Sequence, residues 1–230
     1  MSHTRGDFDS HLSRLRLRLL EMGAEVDEML GDALRALLEQ DLELAQRVIR
    51  ADDRVDNLDI EIETECIRLI ARQAPVASDL RLIGTALKVI TDLERMADHA
   101  VDIAKIGRRL ARNAYYLPLI DLPALGSAVR QMLRDALASL VGSDLDLVAK
   151  VIAADDAVDD LYHSQRDLLI QTMERDNSVV YIATYLLLAA KHFERVADHV
   201  VNVAERVYYV ETGTLAQLAA SHSSAAAASG

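Results

Sequence analysis

The chain is written twice. Glu94-Arg95-Met96-Ala97-Asp98-His99 returns, one substitution apart, as Glu194-Arg195-Val196-Ala197-Asp198-His199. Upstream, Asp32-Ala33-Leu34, Asp41-Leu42, Val48-Ile49, Asp52-Asp53, Val55-Asp56 and Leu58 reappear from Asp135 to Leu161. Units of this length are duplicated domains, because solenoid repeats have periods of about 20–50 residues. Whatever one copy folds into, the other must fold into as well.

Each copy reads as three helices. Leu12, Leu15, Leu19, Met22, Val26, Met29 and Ala33 step by three and four, the apolar seam of a packed helix ending near Glu39. Asp41 is a good N-cap for the second helix, whose core positions are Leu44, Val48, Val55, Leu58, Ile62 and Leu69. That helix stops near Gln73, since the residue before Pro75 is driven out of helical space. Ala77 or Ser78 opens the third, with Leu80, Ile83, Leu87, Ile90, Ala97 and Val101 inward. The second copy places helices near Leu125–Val141, Asp144–Glu174 and Val179–Val210. Short connections force neighbours antiparallel. The expected fold is all-α, two tandem antiparallel three-helix bundles related by internal duplication. The bundles span 1–115 and 116–213, and a flexible Ala/Ser-rich tail spans 214–230.

Composition agrees with helices. Hydrophobic residues make up 51% and aromatics only 4%, with no Trp. A net charge of −12 opposes nucleic-acid binding, because an acidic surface repels phosphate backbones. No stretch reaches the roughly 18 uninterrupted apolar residues of a membrane span, and no signal peptide is visible, so a cytoplasmic protein is expected. Cys66 stands alone, which excludes an internal disulfide and a cysteine-rich zinc site. Among Ile62, Ile67 and Leu69 it reads as a buried, inert thiol.

The acids carry the chemistry. With Glu94 at zero on a helical wheel, Asp98 falls near about 40° and Asp102 near about 80°. Leu93, Ile90, Ala97 and Val101 fill the arc beside them, so the acids border the apolar face. Glu194, Asp198 and Asn202 repeat the stripe. Antiparallel pairing sets Glu94 opposite position 57 and Asp98 opposite position 53, where Asp52, Asp53 and Asp56 sit, with Asp53 and Asp56 the candidate ligands. Glu194 and Asp198 face Asp156, Asp159 and Asp160, with Asp156 and Asp159 the candidates. So many carboxylates in one groove repel one another, and a multivalent cation relieves the conflict. An all-oxygen site suits a hard divalent or trivalent ion, Mg²⁺, Mn²⁺, Ca²⁺ or iron, with Zn²⁺ also able to use carboxylates. A solvated acidic face with no metal is the competing reading. Arg95 and Arg195 are expected to pair with surface acids. His99 and His199 lie near about 140°, so ligation by them would need another helix. The Glu-to-His spacing of the copies departs from the Glu-x-x-His of di-iron bundles.

At these motifs the chain resembles the PhoU family of phosphate-uptake regulators. Pro75-Val76-Ala77-Ser78-Asp79-Leu80-Arg81-Leu82 is similar to the loop after the second helix of that family's first repeat. The two Glu-Arg-x-Ala-Asp-His segments resemble its twin E/D-x-x-x-D motifs, and Val207 to Gly213 resembles its closing segment. Ala97 and Ala197 stand where many members have Gly.

The resemblance implies multinuclear metal sites on the motif helices, with Glu94, Asp98, Asp102, Glu194, Asp198 and Asn202 as candidate ligands. It implies a non-enzymatic negative regulator and a homodimer. Its implied partners are the ATPase subunit of the Pst phosphate transporter and a PhoR-type sensor histidine kinase, with membrane contact only through them. A carboxylate metalloenzyme and a purely structural helical adaptor are the alternatives.

Overall fold

Asp41 and Asp144 do the same work in the two copies. The Asp41 carboxylate accepts hydrogen bonds from the backbone N–H groups of Glu43 and Leu44, both at 2.9 Å. Asp144 accepts from Asp146 and Leu147. The residue before each cap, Gln40 or Ser143, adopts the left-handed conformation (φ 56° and 53°). That residue reverses the chain, and the N–H of the following Asp closes on the helix just ended. Each copy's first two helices are thereby folded into a tight antiparallel pair.

The computed structural model describes residues 2–73, 75–113 and 119–219. Its long helices are α1 Ser2–Glu39, α2 Leu42–Gln73, α3 Ala77–Leu110, α4 Leu122–Gly142, α5 Leu145–Arg175 and α6 Val180–Thr212. A single 3₁₀ turn, Asn177–Val179, precedes α6, and no strand occurs among the described residues. Helix α1 starts ten residues before the apolar seam does, and Phe8 extends its buried stripe. Helix α4 starts earlier than its apolar pattern indicated. Asp121 caps it through the Ala124 N–H, and Pro123 sits in the first turn, where a missing N–H costs nothing. Tyr115, Tyr116 and Pro118 lie outside the described residues. Gly213 ends α6 in the left-handed conformation.

Helices α1, α2 and α3 pack on one another, and α4, α5 and α6 do the same. The two bundles are joined along two seams, α3 on α6 and α1 on α4. Both seams obey the sequence repeat. Gly23 of α1 receives the Leu137 side chain of α4, and the equivalent Gly126 of α4 receives Leu34 of α1. A Cβ on Gly23 would lie 2.5 Å from Leu137 Cδ1, and one on Gly126 would lie 2.8 Å from Leu34 Cδ2. Asp27 sits between these contacts, held by Arg130 at 2.8 and 2.9 Å and by Arg134 at 3.2 and 3.3 Å. The bundles are therefore related by an approximate two-fold axis across a packed interface.

Phe193 is fully buried beside Gly126. One expected core position, Leu80, and one apolar neighbour of Cys66, Ile67, lie outside the core. Leu80 is exposed, its place taken by Leu82, and Ile67 faces solvent while Cys66 beside it is buried. One residue on a helix turns about 100°, so an apolar neighbour in sequence need not share the inward face. Beyond Gly213, Leu215 is exposed, but Leu218 donates its N–H to Glu205 of α6 and Ala219 is buried, so the chain is tied back at 218–219. The rest of the Ala/Ser-rich stretch is outside the described residues.

Candidate functional site

Helices α2 and α3 run antiparallel and bring two acidic rows together. Asp56, Asp59, Ile60, Thr91 and Glu94 line a recess of about 300 Å³. Asp56 and Asp59 flank position 57, the position opposite Glu94 in the expected register. Further along, Asp52 and Asp98 are electrostatic neighbours. Burial holds the Glu94 carboxyl above its ordinary pKa, and Asp98, Asp56 and Asp59 push it the same way against Arg95. Burial also raises Asp52, helped by Asp56, Asp98 and Asp53. Asp59 is raised by burial and by Glu63 and Asp56. Arg95 is the local counterion, 3.3 Å from Glu94 and 2.9 Å from Asp98. It thus pairs with the motif acids themselves.

Asp53 is exposed on the outer side of this row, with Asn57 bonded to its backbone carbonyl. Asp52 and Asp59 take the inner places. An oxygen-only set around Glu94 and Asp98, in which burial and neighbouring carboxylates push Asp52, Asp59 and Glu94 above their ordinary pKa, fits a hard cation.

The second copy departs from the first at two coupled positions. Asp59 corresponds to Tyr162, and Thr91 corresponds to Lys191. The Lys191 ammonium lies over the Tyr162 ring, 5.3 Å from its centroid, and pairs with Glu194. Burial raises the Asp159 carboxyl, as does Asp198, while His163 and Lys191 lower it. Asp156 is exposed and adds only a small push. The α5–α6 groove therefore holds fewer acids and an internal cation. Its donor set fits a metal less well than the α2–α3 groove.

The stripe Glu-Asp-Asp/Asn does not stay together. Asp102 and Asn202 turn away from the grooves into the α3–α6 seam, with Asp92, His99, His192 and His199. Here Asp92 accepts from His199 Nδ1 at 2.9 Å and from Asn202 Nδ2 at 3.2 Å. The Nδ1 atoms of His99 and His192 are 3.2 Å apart. Burial lowers the His99 pKa to about 4, with help from His192, His199 and Arg195. His192 is also lowered by burial, against an upward pull from Asp102. The other helix that ligation by His99 would need is supplied by α6. His192 went unread because its counterpart in the first copy is Asp92. The available signal was the shared spacing: 92, 99 and 102 in α3 match 192, 199 and 202 in α6, polar positions set among buried Leu93, Met96, Ala100 and their equivalents.

The PhoU domain model matches residues 19–107 and again 122–207, one copy per bundle. The chain belongs to the PhoU family. A PhoU homolog of Clostridium acetobutylicum, described as a phosphate-specific transport system accessory protein, is 40% identical over 211 residues. That match covers 91% of this chain and 96% of the relative. The Serratia marcescens PhoU, with the same description, is 34% identical over 92% of this chain and 87% of its own length. The crystal structure of PhoU from Pseudomonas aeruginosa superposes with a TM-score of 0.86 at 34% identity, covering 90% of this chain and all of that one. The PhoU of Streptococcus pneumoniae, titled a phosphate transport system regulatory protein, gives 0.84 at 32% identity over 91% of this chain. The duplicated three-helix bundle is the fold of this family. No described helix is long and apolar enough to cross a membrane.

Proposed function

We propose that this chain is a negative regulator of phosphate uptake and of the phosphate-starvation response. It acts by contact with the ATPase subunit of a Pst phosphate transporter and with a phosphate-sensing, PhoR-type histidine kinase. The observation that carries this reading is the near end-to-end likeness to relatives described as phosphate-specific transport system accessory proteins. An accessory role also suits the architecture, because two bundles locked along two seams offer long, rigid helical faces to a partner.

Metal enters this reading through the α2–α3 groove. Asp52, Asp56, Asp59, Glu94 and Asp98 would hold a hard cation, and the ion would supply the positive charge that their mutual repulsion calls for. The groove around Asp159, Glu194 and Asp198 takes a subordinate part, since Lys191 supplies one positive charge there, pairing with Glu194 and lowering Asp159.

The test is affinity capture from cells grown in high and in low phosphate, with this chain as bait. Recovery of the transporter ATPase subunit in a phosphate-dependent amount is expected. Its absence under both conditions would refute the contact.

A further inference from the structure

The α3–α6 seam contains ligand atoms that neither acidic groove uses. The approximate two-fold axis pairs Asp92 with His199 and Asn202 on one side, and His192 with His99 and Asp102 on the other. On the first side a carboxylate accepts from an imidazole and from an amide, so that side is a closed hydrogen-bonded set. On the other side the equivalent of the carboxylate is an imidazole, and the equivalent of the amide is a carboxylate. This exchange leaves two ring nitrogens and a carboxylate oxygen all within 4.8 Å of one another.

We propose that His99, Asp102 and His192 form a binding site for a transition-metal ion of the Zn²⁺ type, at the junction of the two bundles and separate from the carboxylate grooves. The spacing supports the ion. With Zn–N bonds of about 2.0–2.1 Å, two nitrogens of a tetrahedral site lie about 3.3–3.4 Å apart. The His99 and His192 Nδ1 atoms are already 3.2 Å apart. Without metal, one of these nitrogens carries a proton and donates to the other. With metal, both Nδ1 lone pairs face the ion: the ring that donated loses its Nδ1 proton to solvent and takes one up at Nε2, the other ring already carries its proton there, and neither imidazole changes net charge.

The surroundings select the class of ion. Asp102 and His192 line one end of a groove of about 730 Å³ whose other walls include Lys105, Arg108, Arg109 and Arg112. Lys105 pairs with Asp102 at 3.2 Å and would swing into solvent when the carboxylate binds metal. These cations oppose an ion held mainly by charge, such as Mg²⁺ or Ca²⁺. Imidazole nitrogens instead suit Zn²⁺, Co²⁺, Ni²⁺ and Cu²⁺. Two histidines and one carboxylate leave a fourth position for water or an exogenous ligand. All three side chains are half-buried, so the ion has an entry path from the groove.

The experiment titrates Zn²⁺ into the chelator-treated full chain against a competing chromogenic chelator, with zinc X-ray absorption on the loaded protein. One histidine-bound Zn²⁺ is expected, with imidazole nitrogens in its shell. Replacing a second-shell partner commonly costs about 10–100-fold in affinity. Loss of a ligand in His192→Asn should therefore weaken binding by at least about 100-fold and remove the imidazole signature. The pair Glu94→Gln with Asp98→Asn should leave that signature in place. If His192→Asn loses its helical circular dichroism, Asp102→Asn, which copies Asn202, replaces it and should weaken binding at least about tenfold. A wild-type Zn²⁺ shell without imidazole, or an unchanged signature and affinity in the folded variant, would overturn the proposal. The outcome does not depend on the phosphate-related function proposed above.

Discussion

His99 and His192 meet across the boundary between the two bundles, Nδ1 to Nδ1 at 3.2 Å, although 93 residues separate them in the chain. The contact makes α3 and α6 one unit. It also places titratable rings where burial penalises charge. The His99 pKa falls to about 4 from an ordinary 6.5, and His192 moves the same way. A histidine with a depressed folded pKa favours the fold in its neutral form. Its contribution is present above pH 6.5 and is lost as pH drops through about 4. His192, His199, Arg195 and Asp102 all act on this ring, with Asp92 bonded to His199 behind it, and the raised carboxyls of the grooves titrate with the opposite sign. The comparison must therefore be differential. The melting-temperature gap between wild type and His99→Gln should shrink as pH falls from 6.5 to 4. A gap constant across that window would contradict the assignment.

The two grooves should bind metal unequally. Glu94→Gln with Asp98→Asn should remove most of the hard metal that elemental analysis finds on protein purified without chelators. Glu194→Gln with Asp198→Asn should remove less, because Lys191 already offsets part of that groove's negative charge. Equal losses would show that Lys191 and Tyr162 do not distinguish the grooves. The raised Glu94 pKa adds a second readout. A raised carboxyl stabilises the fold below its unfolded pKa and loses that contribution as pH rises through the folded value. At neutral pH, Glu94→Gln alone should thus stabilise the metal-free protein. A gain of at most about 0.5 kcal/mol is expected for so open a site, about 1–2 °C in melting temperature.

The inter-bundle seam is testable through Gly23. A methyl group there collides with Leu137, whose side chain is itself nearly buried. Overpacking costs about 1–3 kcal/mol, offset by the roughly 1 kcal/mol that Ala gains over Gly in a helix. Gly23→Ala should therefore destabilise by up to about 2 kcal/mol, and combining it with Leu137→Ala should cost less than the sum. Strict additivity in chemical denaturation would mean that the two residues are not in contact.

Much of this arrangement is legible in the sequence, and the limits have a physical cause. Asp41 and Asp144 announce their helices because capping is local chemistry. Asp56 can be set opposite Glu94 because a short connection between antiparallel helices fixes their register within about a turn. Asp59 and Asp52 replace Asp53 on the inner row because that remaining turn of uncertainty decides which acids face inward. The His99–His192 pair depends on how one bundle docks on the other. Loop lengths do not determine that, and it required the glycine notches at Gly23 and Gly126 to be seen in place.

Cys66 should be silent in the folded protein. It is fully buried, and burial, with Glu65 beside it, pushes its thiol up to about 12. A thiol reagent at neutral pH should modify it only on unfolding, and stoichiometric labelling of native protein would contradict this placement.

The regulatory role is tested most directly by removing the protein. Expression of phosphate-starvation genes should be measured in phosphate-replete medium in a deletion strain, with and without the wild-type chain restored. Derepression that the restored chain reverses is predicted. Normal repression in the deletion strain would contradict a role as negative regulator.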